Sequence, residues 1–406
     1  MGEALIVVGQ GMAATRFIDE LGKRALGRYA VLVIGAEPFR AYNRVMLSSL
    51  LAGEVAAADI ELKRADWWAR QGVTNLHGAP VDAIDRAAKT VRLANGVVLS
   101  YAKLVLTTGS HPIRLPKPGM DLPGVITFRT MGDVGVMLSG AGPGKRAIVI
   151  GGGLLGLEAA YGLAKAGAKV TLLHLMDRLM ERQLDAPAAK LLLQAMEEKG
   201  VETLLGADTA AVEGEGRVEA LRLTDGRRIP ADLVVCAVGV RPNADLARAA
   251  GLEVNRGVLV DDGMTTSDPD IFALGECAEH RGIAYGLVEP AYQQAAVLAR
   301  RLSGDAEAAF EGTVLATNLK VAGVSLFSVG DFMGEGEGKE AIVFDDPAAG
   351  TYKKLVVRDG KLIGAVLYGD AADGLWLQAL IRDARPIEAF RERLIFGRAA
   401  VESEAA

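Results

Sequence analysis

Hydrophobic runs alternate with glycine-rich turns along the first part of the chain. Leu5 to Val8 form an apolar run that leads into the turn Gly9 to Ala14, and apolar residues then recur at helical spacing as far as Ala25. A second apolar run, Val31 to Ile34, ends shortly before Glu37. This pattern predicts a strand, a tight turn, a helix and a second strand, with the spacing G-x-G-x-x-A of a βαβ unit that binds a dinucleotide. A plain helix–strand turn that needs glycine is the alternative.

The same pattern returns 142 residues later (151 − 9). The run Ala147 to Ile150 leads into the turn Gly151 to Gly156, which is followed by a helical apolar pattern and by the run Val170 to Leu173. One such turn is weak evidence, whereas two strand-flanked copies predict two bound dinucleotides. A later run, Leu233 to Val238, opens into a turn at residues 239–243, which we assign to the second nucleotide.

Two further strands end in turns that would complete the first site. Residues 104–106 lead into the turn 107–109, and residues 271–274 lead into the turn 275–276. Ligands bind at the carboxyl ends of the strands in an open α/β sheet. We therefore expect both turns to face the same nucleotide as Gly9, and plain turns without a ligand are the alternative.

Beyond residue 309 the pattern changes to short apolar runs that are typical of strands. Asp359 and Gly360 lie between two such runs and predict a tight hairpin. A helix is predicted from Leu375 to Asp383, with apolar anchors at Leu375, Leu377 and Leu380. This part shows no catalytic set of side chains, so we interpret it as a cap or an interface. A solvated face is the favoured interpretation of its basic residues, with contact to an acidic carrier as the alternative; they are Lys353, Lys354, Arg358 and Lys361.

The amino-acid composition limits the kinds of redox chemistry that the chain itself could carry out. The 406 residues include 49 glycines without a collagen-like period, which indicates close approaches of the backbone. The two cysteines, Cys236 and Cys277, exclude a disulfide scaffold, a C-x-x-C redox pair, a cysteine-ligated iron–sulfur cluster and a zinc finger within these residues. Any redox chemistry must therefore reside in a bound cofactor. No metal site is expected.

Charge and hydropathy argue against several kinds of partner. The 45 basic and 51 acidic residues give a net charge of −6 without a basic stripe, so neither nucleic acid nor an anionic membrane is expected to bind. No apolar stretch approaches the roughly 18 to 20 residues of a membrane-spanning helix. The first residues lack the basic region of a secretory signal, so we expect a cytoplasmic protein.

Taken together, the motifs resemble a known family. The two dinucleotide turns, the turns 107–109 and 275–276, and the segment Tyr42 to Arg44 resemble the pyridine nucleotide–disulphide oxidoreductase superfamily, in its branch of FAD-dependent ferredoxin and rubredoxin reductases. Several segments are also similar to the N-terminal flavoprotein part of the assimilatory NAD(P)H nitrite reductase large subunit; they are residues 42–49, 151–158, 174–176, 179–185, 266–271, 275–277 and 317–320. The segment Met180 to Asp185 is the most specific.

The resemblance implies an α/β architecture. Two Rossmann-like dinucleotide-binding domains, one for FAD and one for NAD(P), would be followed by a C-terminal α+β domain. The FAD-binding domain would comprise residues 1–115 and 245–308, the NAD(P)H-binding domain residues 116–244, and the C-terminal interface domain residues 309–400. The chain would be an enzyme with FAD and NAD(P)H as its cofactors.

Carried over residue by residue, the resemblance implies two sets of cofactor-binding residues. Those implied for FAD are Gly9, Gly11, Met12, Ala13, Ala14, Glu37, Asn43, Arg44, Ser48, Ser49, Val81, Thr107, Thr108, Gly109, Arg129, Gly275 and Glu276. Those implied for NAD(P) are Gly151, Gly153, Leu154, Leu155, Gly156, Glu158, His174 and Gly239. In the first set, Glu37 would bind the adenosine ribose, Arg44 would face the phosphates, and Glu276 would contact the ribityl chain.

The sequence also departs from the family pattern. Thr107 replaces the alanine of the family's A-T-G turn. Ser49 stands where many ferredoxin reductases have a lysine near the flavin, so Glu158 would lack its usual partner and could only form hydrogen bonds; these two are the candidate catalytic residues. His174 ends the second strand of the second motif, where glutamate would favour NADH and a basic residue would accept the 2′-phosphate of NADPH. The preference between the two nucleotides therefore stays open.

The resemblance implies that hydride passes from NAD(P)H to FAD and that electrons then leave singly for a separate iron–sulfur or similar carrier or reductase subunit, in nitrite or nitrate assimilation. The chain stops where a nitrite reductase would continue into iron–sulfur and sirohaem modules, so it is not expected to reduce nitrite itself. A ferredoxin or rubredoxin reductase that serves an oxygenase is one alternative. A FAD- and nucleotide-sensing binding protein with little turnover is another. The oligomeric state, including a homo-oligomer, stays open.

Overall fold

A computed structural model describes residues 2–321 and 323–403. Met1, Ala322 and residues 404–406 lie outside the described residues, so the predicted ranges that include Met1 or Ala322 are taken without them. The described residues fall into two compact units. Unit 1 contains residues 2–50, 55–112 and 240–313, and unit 2 contains residues 51–54, 113–239 and 314–403. The division into three domains stays a prediction.

The strands of the described residues are numbered in chain order. They are β1 Glu3–Val8, β2 Tyr29–Ile34, β3 Thr74–Leu76, β4 Val81–Asp85, β5 Thr90–Leu93, β6 Val98–Ser100, β7 Lys103–Leu106, β8 Ser110–Pro112, β9 Val125–Thr127, β10 Arg146–Ile150, β11 Lys169–Leu173, β12 Val201–Leu204, β13 Thr209–Glu213, β14 Ala220–Leu223, β15 Arg228–Pro230, β16 Leu233–Cys236, β17 Val240–Pro242, β18 Val258–Val260, β19 Ile271–Ala273, β20 Ala278–His280, β21 Ile283–Ala284, β22 Ala316–Val321, β23 Val324–Gly330, β24 Lys339–Asp346, β25 Thr351–Arg358 and β26 Lys361–Tyr368.

The α-helices are numbered in the same way. They are α1 Met12–Gly22, α2 Leu47–Leu51, α3 Ala65–Arg70, α4 Met131–Gly140, α5 Leu154–Lys165, α6 Ala186–Glu198, α7 Asp245–Ala249, α8 Val288–Leu302, α9 Gly374–Arg382 and α10 Arg398–Glu402. Short 3-10 helices occur at Leu26–Arg28, Arg44–Met46, Gly275–Cys277, Glu388–Phe390 and Leu394–Phe396.

Unit 1 is built on a parallel sheet with the strand order β19-β7-β1-β2-β3. Val8 at the end of β1 lies opposite Ile34 on one side and Leu106 on the other, so the carboxyl ends of the central strands meet at one edge. Leu5 and its alternate neighbours on β1 pack into one hydrophobic cluster, and the residues between them pack into another. Burial on both faces explains why β1 reads as a continuous apolar run.

Helix α1 packs against this sheet because its apolar residues recur every three or four positions. Ala14, Phe17, Ile18 and Leu21 are all fully buried in the same cluster. Helix α8 contributes to that cluster as well. The predicted strand–turn–helix–strand pattern of the first motif is confirmed.

Unit 2 repeats this arrangement with a parallel sheet in the order β12-β11-β10-β16-β9. Ile150 at the end of β10 lies opposite Leu173 of β11 and Cys236 of β16. Helix α5 follows β10 and buries Leu157, Ala160 and its neighbours. The second strand–turn–helix–strand motif is therefore confirmed too, and the α/β class with it.

The C-terminal part of unit 2 forms an antiparallel sheet in the order β22-β23-β26-β25-β24. The predicted hairpin is β25 and β26, joined by Asp359 and Gly360 with φ of +50° and +66°. Positive φ at both central residues is the geometry that favours Asp-Gly in a two-residue hairpin turn. Helix α9 packs against this sheet through Leu377 and Leu380.

Two expectations for the later segments were wrong. Leu375 does not anchor α9: its side chain is 68% exposed, because it lies on the helix face opposite to Leu377 and Leu380. The predicted turn at 239–243 contains strand β17, which pairs with β8 through long-range backbone hydrogen bonds.

The basic residues of the C-terminal hairpin are divided: Arg358 and Lys361 are exposed, as a solvated face predicts, whereas Lys353 and Lys354 are not. Lys353 is buried and its Nζ lies 2.6 Å from Asp370 Oδ2. Lys354 Nζ donates a hydrogen bond to Met333 O at 2.9 Å. These two cations are used inside unit 2, which also removes them from any basic surface for a carrier.

None of the helices in residues 2–321 and 323–403 combines the length and the apolar composition that a membrane-spanning segment requires.

Candidate functional site

The first glycine turn has one glycine that the fold requires and one that faces open space. Gly9 has φ of +112°, and a Cβ at this position would lie 2.1 Å from Thr107 O. Beside Gly11, and apart from the glycine and its neighbours along the chain, no heavy atom of the described residues lies within 4 Å of the position that a Cβ would take. Ala14 is fully buried where α1 packs on the sheet. This division matches the roles that a dinucleotide turn needs: a tight turn, room for a pyrophosphate and close helix packing.

Helix α1 begins directly at this open space. Gly11 is its N-cap residue, and within the described chain no side chain caps the helix. The N–H groups of the first turn, at Met12 and Ala13, therefore lack a side-chain acceptor there. Together with the helix dipole, they form a site suited to a phosphate.

Thr107 ties the second candidate turn to the first. Its Oγ1 donates to the carbonyl oxygens of Val8 and Gly9, each at 3.1 Å. These bonds explain how threonine is accommodated where the family pattern has alanine. The next residue, Thr108, donates from Oγ1 to Asn243 O at 2.7 Å, and Asn243 N–H donates to Gly109 O at 2.8 Å.

Glu37 stands near the end of β2 in a cluster with two later residues. Tyr42 Oη donates to Glu37 Oε2 at 2.7 Å, and Arg44 Nη2 lies 2.6 Å from Glu37 Oε1. The Arg44 guanidinium also lies over the Tyr42 ring, 5.0 Å from its centroid. Burial alone would lower the pKa of Arg44, but Tyr42, Glu37 and Glu276 together raise it. Arg44 therefore stays cationic, as a partner for phosphates must.

The turn 275–276 reaches the start of α1. A Cβ on Gly275, whose φ is +80°, would lie 3.0 Å from Ala13 Cβ. Ser110 Oγ donates to Glu276 Oε2 at 2.7 Å, which fixes that carboxylate. The structure thus brings Gly9, Thr107 and Gly275 together around the first turn of α1, as the strand order predicts.

A buried amide at this place fits a bound cofactor. Gln294 of α8 is fully buried, and its Oε1 accepts a hydrogen bond from Gly275 N–H at 2.8 Å. Its Nε2 has no hydrogen-bond partner within the described chain. A buried donor without an acceptor is costly unless a ligand or water satisfies it. With the open space at Gly11, this donor indicates that the residues present fit FAD.

The other residues implied for FAD have varied local roles. Asn43 Oδ1 accepts from Val45 N–H and caps the 3-10 helix Arg44–Met46, and Ser48 Oγ donates to Val45 O. Ser49 lies in α2, and Val81 is the first residue of β4. Arg129 belongs to unit 2, where its backbone N–H donates to Asp133 Oδ2. Their part in binding FAD stays a prediction.

The second glycine turn repeats the geometry of the first. Gly151 has φ of +117°, and a Cβ there would lie 2.4 Å from Ala237 O. Gly153 has open space where its Cβ would be, with no heavy atom of the described chain within 4 Å, and it is the N-cap residue of α5. A Cβ on Gly156 would lie 1.7 Å from Gly151 O. The residues present therefore fit a second dinucleotide.

His174 supports this turn from the end of β11. Its Nδ1 accepts a hydrogen bond from Gly152 N–H at 3.0 Å, and its Nε2 lies 3.1 Å from Glu181 Oε2. Because Nδ1 is an acceptor, Nε2 carries the proton and donates to the carboxylate. The imidazole is buried, with both nitrogens engaged inside the protein.

The remaining residues implied for NAD(P) surround the same turn. Leu154, Leu155 and Glu158 lie in the first turns of α5. Gly239 has φ of +118°, and its carbonyl oxygen accepts from Ile113 N–H at 2.9 Å. The two candidate catalytic residues lie in different units, Ser49 in unit 1 and Glu158 in unit 2. Their catalytic roles stay predictions.

Both cysteines are buried structural residues. Cys277 Sγ lies 3.4 Å from Leu106 O, and Cys236 Sγ lies 3.4 Å from Ile113 O. Burial raises the pKa of both thiols. Neither is therefore poised as the thiolate that disulfide exchange requires. Within the described residues, no group of three or more His, Cys, Asp or Glu side chains could hold a metal ion.

Comparison with known proteins identifies the family. The profile of the pyridine nucleotide–disulphide oxidoreductase family matches residues 3–297. The chain belongs to this family. A second profile, that of the rubredoxin NAD+ reductase C-terminal domain, matches residues 316–385. This pyridine nucleotide–disulphide oxidoreductase is thus an enzyme that uses FAD and NAD(P)H, as the sequence resemblance predicts.

Three similar proteins are informative. The NAD(P)H nitrite reductase of Bacillus subtilis (strain 168) is 47% identical over 363 residues, which cover 89% of this chain and 45% of that protein. The assimilatory nitrate reductase electron transfer subunit of the same organism is 42% identical over 365 residues, which cover 90% and 47%. The chain thus spans about half the length of these curated relatives. The crystal structure of a covalent putidaredoxin reductase–putidaredoxin complex matches with a TM-score of 0.88 and 28% identity, covering 99% of this chain and 98% of that chain.

Sequence reasoning found Glu276 but missed three other residues at these turns, which are Ser110, Gln294 and Glu181. Ser110 bonds to Glu276, which is 166 residues away, and Gln294 lies within α8, so no local pattern connects either of them to the first turn. Glu181 lies in the most specific motif, but its bond to His174 depends on how the loop after β11 folds back.

Proposed function

We propose that this chain takes hydride from NAD(P)H onto FAD and passes electrons singly to a separate one-electron carrier, as the electron-transfer component of nitrite or nitrate assimilation. One observation carries the proposal. The chain builds two glycine turns with open space at the second glycine, Gly11 and Gly153, while both of its cysteines are buried and protonated. The dithiol route of disulfide reductases is thereby closed, and the electrons must leave by another path.

The residues of each turn have distinct tasks in this proposal. The starts of α1 and α5 bind the two pyrophosphates, and Arg44 adds positive charge at the first. Glu37 binds the adenosine ribose of FAD, and Glu276, fixed by Ser110, contacts the ribityl chain. When bound, FAD supplies the ability to accept a hydride and to release electrons one at a time. The protein mainly orients the two nucleotides, since hydride transfer needs little acid–base help.

The assignment to nitrite or nitrate assimilation is supported by the named relatives. One is an NAD(P)H nitrite reductase, and the other is an electron transfer subunit of an assimilatory nitrate reductase. Because the chain spans about half of each, the acceptor in this proposal lies outside these 406 residues, on a partner subunit or a small iron–sulfur carrier.

A second candidate is a ferredoxin or rubredoxin reductase that serves an oxygenase. Two observations favour it: a putidaredoxin reductase is matched over 98% of its length, and the C-terminal sheet matches a rubredoxin NAD+ reductase domain. Under this alternative the same two nucleotide turns would serve a different carrier.

A carrier screen separates the two candidates. FAD-loaded protein would be supplied anaerobically with NADH or NADPH and with one purified acceptor at a time: an assimilatory nitrite or nitrate reductase partner, an oxygenase ferredoxin, or a rubredoxin. Fastest reduction of the assimilatory partner is the expected result. Rapid turnover with the oxygenase ferredoxin or rubredoxin, and none with the assimilatory partner, would favour the second candidate.

A further inference from the structure

The segment between β11 and α6 connects the second glycine turn to the C-terminal sheet. We call residues 174–185 the linking loop. At the turn, Met180 N–H donates to Gly152 O at 3.0 Å, and further along the loop Leu184 N–H donates to Met180 O at 2.8 Å. Met180 has φ of +51°, which is unusual for a residue with a side chain, so the loop is held in one specific conformation. Through the bond from Met180 N–H to Gly152 O, and through the bond from Gly152 N–H to His174 Nδ1, the loop contacts both polar groups of the Gly152 backbone.

Asp185 ends the linking loop and joins three elements with one carboxylate. Its Oδ1 accepts from Ala188 N–H at 3.3 Å and caps α6. Its Oδ2 accepts from Tyr352 Oη at 2.7 Å and lies 3.5 Å from Lys354 Nζ. Both of these partners come from β25 of the C-terminal sheet. Asp185 itself is only 5% exposed.

The C-terminal sheet thus supplies the hydrogen bond and the positive charge that stabilise this buried carboxylate. A buried charge is costly unless it is paired and hydrogen-bonded. Tyr352 and Lys354 are two positions apart on one strand, so their side chains point to the same face of the sheet. Burial raises the pKa of Tyr352, and Asp185 raises it further, so the phenol stays a hydrogen-bond donor throughout the physiological range.

We propose that Tyr352 and Lys354 position the second glycine turn for NAD(P)H, acting through Asp185 and the linking loop. The path runs from the carboxylate of Asp185 to the adjacent Leu184, then to Met180 and to the carbonyl of Gly152. This gives the C-terminal sheet a role in nucleotide binding, in addition to any role at the carrier. The inference rests on the proposed function insofar as NAD(P)H binds at this turn.

The chain offers a matched pair of variants for the test. Tyr352→Phe removes a hydroxyl that bonds to Asp185, the N-cap residue of α6. Tyr368 lies on the neighbouring strand β26, and its hydroxyl donates to Leu191 O of α6 at 3.0 Å. Tyr368→Phe removes that hydroxyl. Both changes delete one bond between this sheet and the segment Asp185–Glu198. Only the first reaches the linking loop.

The dissociation constants of NAD+ and NADP+ are measured by calorimetry on FAD-loaded protein, together with KM and kcat for NADH and NADPH. Tyr352→Phe should raise the dissociation constant and KM of the preferred nucleotide by about fivefold or more, at the scale of ordinary coupling between sites, with unchanged FAD content and kcat. Tyr368→Phe should leave the dissociation constant and KM within about twofold of the wild-type values, even where its Tm falls. Lys354→Met should act like Tyr352→Phe, and the conservative Lys354→Arg should restore nucleotide affinity.

Two outcomes would overturn the inference alone: a Tyr352→Phe protein that binds nucleotide like the wild type, or a Tyr368→Phe protein that loses as much affinity. If Tyr352→Phe does not fold, the inference is tested with Lys354→Met and Lys354→Arg. A Lys354→Met protein that binds nucleotide like the wild type would then overturn it. A wild-type protein that binds neither NAD+ nor NADP+, and whose flavin neither nucleotide reduces, would overturn the proposed function and this inference with it.

Discussion

Gly11 and Gly153 show how single residues define the two sites. Each follows a glycine that packing requires, and each has open space where a side chain would be. Neither needs glycine for its own backbone, because φ is −94° at Gly11 and −85° at Gly153. Their lack of a side chain therefore serves the approach of a ligand, and the fold itself would accept a larger residue.

We expect Gly11→Val and Gly153→Val to fold but to lose different cofactors. Valine accepts the extended backbone at both positions, and its side chain occupies the space assigned to a pyrophosphate. Gly11→Val should be isolated without FAD, and Gly153→Val should keep FAD but bind NAD(P)H more than about tenfold more weakly, a loss of about 1.4 kcal/mol. Visible absorbance and nucleotide titration measure the two effects.

Gly135 in α4 provides the control, because it also has open space beside it. Gly135→Ala should leave both cofactors bound and slightly stabilise the helix. A Gly11→Val protein that keeps its flavin would contradict the assignment of the first site.

At the scale of elements, the sequence predicts the parallel strands well and the side-chain partners poorly. β1 and β10 are buried on both faces and read as uninterrupted apolar runs, so they are recognised directly. β17 is only three residues long and exists because it pairs with β8, some 130 positions away, which no local pattern reveals. The exposure of Leu375 depends on which face of α9 meets the sheet. His174 and Glu181 come together only when the linking loop folds.

The pairing of β18 and β20 places a charged cluster at one end of the small sheet in unit 1. Asp262 follows β18, and its carboxylate accepts from His280 Nε2 at 2.8 Å and from Arg281 Nη2 at 2.6 Å. Arg281, and secondly His280, lower the pKa of Asp262 from 3.8 to about 2. The folded state therefore favours the ionised carboxylate more than the unfolded state does.

A lowered pKa gives a definite pH dependence. The contribution of Asp262 to stability is present above its ordinary pKa of 3.8 and is lost as the pH falls towards about 2. We expect Asp262→Asn to lower the free energy of unfolding at neutral pH, and the difference from wild type to narrow below about pH 4. Urea unfolding over this range measures it. Arg281→Gln should reproduce most of the effect. A difference that stays constant down to about pH 2 would contradict the stabilisation by ionised Asp262.

At the scale of the whole molecule, the scarcity of cysteine supports the proposed transfer of electrons to an external acceptor. The 406 residues include only Cys236 and Cys277, and both thiols are buried with raised pKa values. The family profile names disulphide chemistry, but this chain holds no accessible pair of thiols for it. The buried thiols therefore argue against dithiol exchange in this chain, which is consistent with the external acceptor that we propose.

Removing both cysteines tests that conclusion. We expect Cys236→Ala and Cys277→Ala, singly and together, to lower stability by about 1 kcal/mol each while leaving reduction of FAD by NAD(P)H and electron transfer to the carrier intact. Thermal unfolding and stopped-flow absorbance measure the two properties. Loss of electron transfer in a variant that still binds FAD would show that a thiol takes part after all.

The proposed function requires that the chain conducts electrons from NAD(P)H through FAD to an external one-electron carrier. An anaerobic titration measures this transfer: limiting NADH or NADPH is added to FAD-loaded protein, the flavin absorbance is followed, and an oxidised one-electron carrier is then added. We expect one equivalent of nucleotide to bleach the flavin absorbance, and the absorbance to return as two equivalents of carrier become reduced. A flavin that neither nucleotide bleaches, or a reduced flavin that no one-electron carrier reoxidises, would contradict it.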